Sequence, residues 1–109
     1  MGKILVIDDE RAIRRALREI LEFEEFEVDE AENGKEGLKL FREMQPDIVI
    51  TDIIMPKMEG ISFIRELRSS NKNISIIAMT GNVHGRMEEY LDISSKLGAD
   101  YLLRKPIKM

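Results

Sequence analysis

The run Ile4-Leu5-Val6-Ile7-Asp8-Asp9-Glu10 decides the fold. Its apolar residues are continuous rather than alternating, as in a strand buried on both faces, and they stop abruptly at acids. Working outward, Ile48–Thr51, Ile74–Met79 and Tyr101–Leu103 are further short apolar runs of strand length. A weaker fifth candidate, Glu27–Glu30, has Val28 as its one strongly apolar residue and suits a sheet edge.

Between these runs the apolar period becomes helical. Ile13, Leu17, Ile20 and Leu21 form one stripe, with Arg11, Arg14, Arg15, Arg18 and Glu22 largely outside it. Leu38, Phe41 and Met44 form a second, entered through Asn33-Gly34. Ile61, Ile64 and Leu67 form a third; Met87, Tyr90, Leu91 and Leu97 form a fourth, with Gly98 placed to end it. Strand and helix therefore alternate from end to end, which predicts parallel strands joined by right-handed crossovers. At 109 residues an eight-fold barrel is excluded, and the expectation is one α/β domain: a small, doubly wound, five-stranded parallel sheet with helices on both faces.

Composition agrees. Hydrophobic residues make up 43% and charged residues 35%, a globular balance that argues against disorder. Lys and Arg number 17 against 21 Asp and Glu, a net charge of −4, so the overall footprint of a nucleic-acid binder is missing. With no cysteine, disulfides, thiolate metal sites and cysteine nucleophiles are excluded. The apolar run after Met1 is too short for a signal peptide or a membrane span. Gly2 lacks the Ser or Thr that myristoylation wants, because Val6 occupies that position. A soluble, cytoplasmic protein is expected.

In such sheets ligands bind beyond the carboxyl ends of the strands. The residues there are Asp8, Asp9 and Glu10 after the first strand, Asp52 after the third, Thr80-Gly81 after the fourth and Lys105-Pro106 after the fifth. Several carboxylates, a hydroxyl and an ammonium thus share one edge. Two unit charges about 5 Å apart repel by roughly 3 kcal/mol at an effective dielectric near 20. A hard divalent cation such as Mg²⁺ removes that cost, and with a lysine it lets a phosphoryl group approach. Carboxylates are known nucleophiles for phosphate, and Asp52 is the best acceptor candidate. Asp8 and Asp9 also suit the cap of the first helix.

The motifs Ile4–Glu10, Thr51-Asp52-Ile53-Ile54-Met55-Pro56-Lys57-Met58-Glu59-Gly60, Met79-Thr80-Gly81 and Lys105-Pro106 together resemble the receiver domain of two-component response regulators. The resemblance implies a flavodoxin-like sheet of strand order 2-1-3-4-5 over residues 1–109. It implies that Asp52 accepts a phosphoryl group from a histidine-kinase phosphohistidine and that the domain works as a phosphorylation-controlled switch, not as a metabolic enzyme. Asp9 would bind Mg²⁺ directly and Asp8 mostly through water, with Asp52 and the backbone carbonyl of Ile54 completing the protein ligands. Lys105 would pair with phosphoryl oxygens and Thr80 would donate its hydroxyl to one. Pro56 and Gly60 would shape the loop after the acceptor, and the Lys105-Pro106 bond would be cis. Partners would be a histidine kinase or phosphotransferase protein and an effector of unknown identity, with neither nucleic acid nor membrane bound directly; a homodimer is also compatible.

Three features depart from the usual pattern. Leu102 stands where receivers carry an aromatic residue, and Tyr101 is offset by one, hence on the other face. The stretch from Thr80 to Lys105 is a few residues longer than usual, around Asn82–Arg86. Only four residues follow Lys105, so the final helix is missing from this chain. A trimmed receiver with apolar surface on the side of the first helix is therefore expected. His84, the single histidine, sits among loop-forming neighbours and reads as a surface residue. The arginines of the first helix read as a solvated face balanced by Glu10, Glu19 and Glu22, with a docking surface for a kinase as the alternative.

Three other functions fit these residues less well. A degenerate receiver that only binds partners would not need the acids, Thr80 and Lys105. A Mg²⁺-dependent phosphohydrolase with an aspartyl nucleophile, of haloacid dehalogenase type, wants Asp-x-Asp and a cap, whereas this chain has adjacent Asp8-Asp9. A flavodoxin-like flavin carrier needs a Gly- and hydroxyl-rich phosphate loop, where Asp8-Asp9-Glu10 would repel the phosphate.

Overall fold

The strands are β1 (Lys3–Ile7), β2 (Glu27–Ala31), β3 (Ile48–Asp52), β4 (Ser75–Thr80) and β5 (Tyr101–Arg104); the helices between them are α1 (Arg11–Phe23), α2 (Gly34–Met44), α3 (Gly60–Ser70) and α4 (Met87–Leu97). The structure is a computed structural model that describes residues 2–53, 60–71, 73–81 and 85–105. Ile54, Pro56, Asn82, His84 and Pro106, and with them the cis bond and the Ile54 carbonyl, lie outside the described residues.

All pairings are parallel and the order is β2-β1-β3-β4-β5. Both faces of the inner strands are buried, which is why their apolar residues run without alternation. On one face Leu5, Ile7, Val49, Ile76 and Ala78 pack with Phe63, Ile64, Leu67 and Leu91 of α3 and α4, and with Leu38 and Phe41 of α2. On the other, Ile4, Val6, Val28, Ile50 and Met79 meet Ile13, Leu17 and Leu21 of α1. Each fully buried Leu, Ile or Phe contributes about 2–3 kcal/mol by leaving water.

Local signals set the helix ends. Asn33 caps α2, its Oδ1 accepting the Glu36 amide at 2.8 Å. Gly98 ends α4 in the left-handed region, with φ 119°. β2 is the edge strand that Val28 foreshadowed. The expected bare surface on the α1 side is met only in part. Ile50 and Met79 are buried and Leu103 is partly buried, while Phe23 and Tyr101 are the most exposed large apolar residues among those described, at 84% and 64%. Leu102 packs on the α4 side of the sheet and Leu103 on the α1 side, so Tyr101, two residues from Leu103, shares the α1 side.

Candidate functional site

The parallel register brings the carboxyl ends of β1, β3 and β5 to one edge. Asp8 continues β1, its amide donating to the Ala31 carbonyl at 3.1 Å. Asp52 closes β3 opposite Met79, and Lys105 follows β5 with its amide donating to the Thr80 carbonyl at 2.8 Å. Lys105 Nζ then lies 2.7 Å from Asp8 Oδ2, 3.1 Å from Asp52 Oδ2 and 3.5 Å from Glu10 Oε1. One ammonium sits among three carboxylates.

Burial differs sharply across this group. Asp8 is wholly buried and Asp52 nearly so, at 0% and 5% exposure, whereas Asp9 and Glu10 face solvent. Desolvation pushes the Asp8 carboxyl above the ordinary Asp range, although Lys105 and the Glu10 amide pull the other way. Burial works against the Lys105 ammonium, but Asp8 and Asp52 more than offset it, so its pKa is raised. The ammonium is therefore firmly charged at neutral pH.

Asp8 Oδ1 accepts the Glu10 amide at 2.9 Å, but the buried Oδ2, close as it is to Lys105, makes no aligned hydrogen bond. Carboxylate oxygens of Asp8, Asp9 and Glu10 come within 4.8 Å of one another. Hard oxygen donors in excess of the local cation, one of them buried with unused acceptor capacity, are the donor set that suits Mg²⁺. The capping alternative does not hold. Glu10 is the N-cap of α1 and makes no side-chain cap, and Asp8 serves the Glu10 amide rather than the first turn.

Gly60 is where α3 meets the acceptor strand. Its amide donates to the Ile53 carbonyl at 2.7 Å, and a Cβ there would fall 2.0 Å from the Asp52 carbonyl oxygen. Only glycine permits that approach. Thr80 is buried at the same edge, but its hydroxyl donates to the Gly81 carbonyl at 3.1 Å rather than to a carboxylate.

The arginines of α1 form the solvated face expected from their spacing only in part: Arg11 and Arg15 are exposed, whereas Arg14 and Arg18 are half-buried. Arg14 is only 13% exposed in its side chain and pairs with Glu30 of β2, as do Arg18 and Arg15. Of the three acids expected to balance them, Glu22 does so, at 3.6 Å from Arg18. Arg14 also donates to the Asp8 carbonyl at 2.7 Å, and Arg18 to the Val28 carbonyl. The missed signal is Glu30 itself: it lies two residues from buried Val28, hence on the same inward face, and a carboxylate there needs cations.

Residues 4–109 match the family model of the response regulator receiver domain. The chain is 40% identical over 107 residues to the chemotaxis protein CheY of Halobacterium salinarum, covering 97% of this chain and 86% of that protein. It is 36% identical to the response regulator MprA of Mycolicibacterium vanbaalenii, covering 98% of this chain but only 45% of that longer protein. Among solved structures, the response regulator TrrA of Thermotoga maritima in complex with Mg²⁺-BeF superposes with a TM-score of 0.85 at 40% identity, covering 99% of this chain and 90% of that one.

Proposed function

We propose that Asp52 is the phosphoryl acceptor of a signalling switch, and the premise is plain: this chain belongs to the response regulator receiver domain family of two-component systems. Members of this family are signalling domains rather than metabolic enzymes. On our reading residues 1–109 form one receiver domain, working in the cytoplasm, with a histidine kinase or phosphotransferase as donor. The output partner is an effector outside this domain.

The observation that carries the reading is Lys105 Nζ set between Asp8 Oδ2 and Asp52 Oδ2, at 2.7 and 3.1 Å. A carboxylate oxygen of Asp52 attacks the phosphorus of a phosphohistidine; the O–P bond forms as the N–P bond breaks, and the imidazole nitrogen takes back its electron pair. Lys105 shifts from the carboxylates to the incoming phosphoryl oxygens and offsets their charge. The Thr80 hydroxyl, turned from Gly81, donates to one of those oxygens. Asp9, Asp8, Asp52 and the Ile54 carbonyl would hold Mg²⁺, which when bound supplies charge neutralisation at the transferred oxygens. On this reading Gly60 shapes the loop after the acceptor, a role that would be shared by Pro56 and Pro106, which lie outside the described residues.

The test is intact mass after incubation with acetyl phosphate, with and without Mg²⁺, for wild type and Asp52→Asn. One base-labile phosphoryl adduct is expected, dependent on Mg²⁺ and absent from the variant. If folded wild type gains no adduct and binds no beryllium fluoride, the chain is a receiver that only binds partners.

A further inference from the structure

The Arg14 guanidinium joins two things that the phosphorylation chemistry does not use: a carboxylate inside the α1–β2 interface and the main chain of the acidic loop. Its Nε donates to Glu30 Oε1 at 3.2 Å and its Nη1 to the Asp8 carbonyl at 2.7 Å. Its own backbone amide closes the same loop, donating to the Glu10 carbonyl at 3.2 Å. Glu30 is in turn clamped by Arg18 at 2.9 Å and approached by Arg15 at 3.8 Å. Arg14 is thus itself held in place, with its side chain largely out of water.

The carbonyl of Asp8 and the amide of Asp9 belong to one rigid peptide plane. Fixing that oxygen fixes where the chain leaves β1, and so where the carboxylates of Asp9 and Glu10 begin. Only a guanidinium does this while also pairing with Glu30, because its donors are a planar fork; an ammonium is a single point. We infer that Arg14 is a positioning residue for the acidic pocket, holding the Asp8–Asp9 peptide plane from α1 through the Glu30 anchor. The inference rests on the Mg²⁺-binding reading given above. Arg14 touches no reacting atom; it acts through the backbone that carries the ligands.

Charge and geometry separate with two variants. Arg14→Lys keeps the charge and loses the fork. The pair Arg14→Gln with Glu30→Gln removes both while leaving the local net charge unchanged. Val28→Ala, which opens a cavity in the same interface, serves as the control for lost stability. Mg²⁺ binding is read by calorimetry, and amide hydrogen exchange at Glu10 is read by NMR in chelator. Both Arg14 variants are expected to bind Mg²⁺ about tenfold more weakly, the lower end for outer-sphere partners of a metal site. Both are also expected to exchange the Glu10 amide faster, whereas Val28→Ala does neither. Wild-type binding and exchange in both Arg14 variants overturns the inference, as does an equal loss in Val28→Ala. If wild type binds no Mg²⁺, the reading of the site fails, and the exchange data in chelator still decide whether Arg14 holds the loop.

Discussion

Each end of the parallel sheet carries a half-buried cation, and the two are treated in opposite ways. At the amino-terminal edge Arg68 donates to the carbonyls of Gly98, Asn71 and Ile74 at 2.7, 3.3 and 2.9 Å and pairs with Asp100 at 2.9 Å. Asp100 passes the contact on by accepting the Ile76 amide at 2.8 Å. That cluster ties the C-terminal ends of α3 and α4 to β4 with charges matched and donors used. At the carboxyl edge Lys105 faces Asp8, Asp52 and Glu10, with Asp9 beside them. There the charges are unmatched and Asp8 Oδ2 keeps acceptor capacity. A balanced cluster staples the fold, whereas an unbalanced one is held at a cost in stability and is ready for a ligand.

The largest expected effect tests whether the carboxyl edge is tightly built despite its strained charge. Gly60→Ala would drive a Cβ to 2.0 Å from the Asp52 carbonyl oxygen and 2.6 Å from Ile53 Cα. A loss of about 3 kcal/mol in urea unfolding is expected from this overpacking. A near-neutral result would mean that α3 can retreat and that the acceptor strand is not braced by it.

Arg68→Met attacks the other edge. Three carbonyls lose a charged donor, and about 2 kcal/mol of stability should go, moderated because the Arg68 side chain is 20% exposed. Mg²⁺ affinity should stay at the wild-type value. Weakened Mg²⁺ binding would break the division of labour between the two edges.

The smallest effect has the opposite sign. Desolvation raises the Asp8 pKa in the folded protein, so the protonated form favours folding. That contribution is fully present below the unfolded value of ~4 and is lost as pH rises through the folded one. At neutral pH the ionised carboxylate, facing Lys105 on one side and Asp52, Asp9 and Glu10 on the other, therefore weakens the fold. Asp8→Asn keeps an oxygen for the Glu10 amide and should raise stability at pH 7 by about 1 kcal/mol in chelator, measured by thermal unfolding. The gain should fade as pH falls through the raised folded value and be gone below ~4. A gain that grows in acid would reverse the assignment.

Much of this was legible along the chain. Buried parallel strands announce themselves as unbroken apolar runs, so β1, β3 and β4 were readable within a residue or so at either end. The acids at Asp8, Asp9 and Asp52 stood out because charge follows directly on apolar strand. Arg14 was misread because helical spacing places it beside the solvated arginines. Only the arrival of β2 next to β1, with Glu30 facing inward, turns that side chain into the interface. The reason for Gly60 was equally hidden, since its close contact is with the backbone of the Asp52–Ile53 segment rather than with a chain neighbour.

The alternation of strand and helix, and the residues that follow each strand, can be read from short stretches of chain, because both follow from burial and backbone geometry over a few neighbours. How those residues combine is set by long-range packing. Lys105 reaches Asp52 across 53 positions of chain, and it does so because the strand order sets β1, β3, β4 and β5 side by side. Which acids are desolvated, which cation they share and which arginine holds their backbone are set by that long-range packing, where water is excluded and each charge must be met by whatever the fold brings to it.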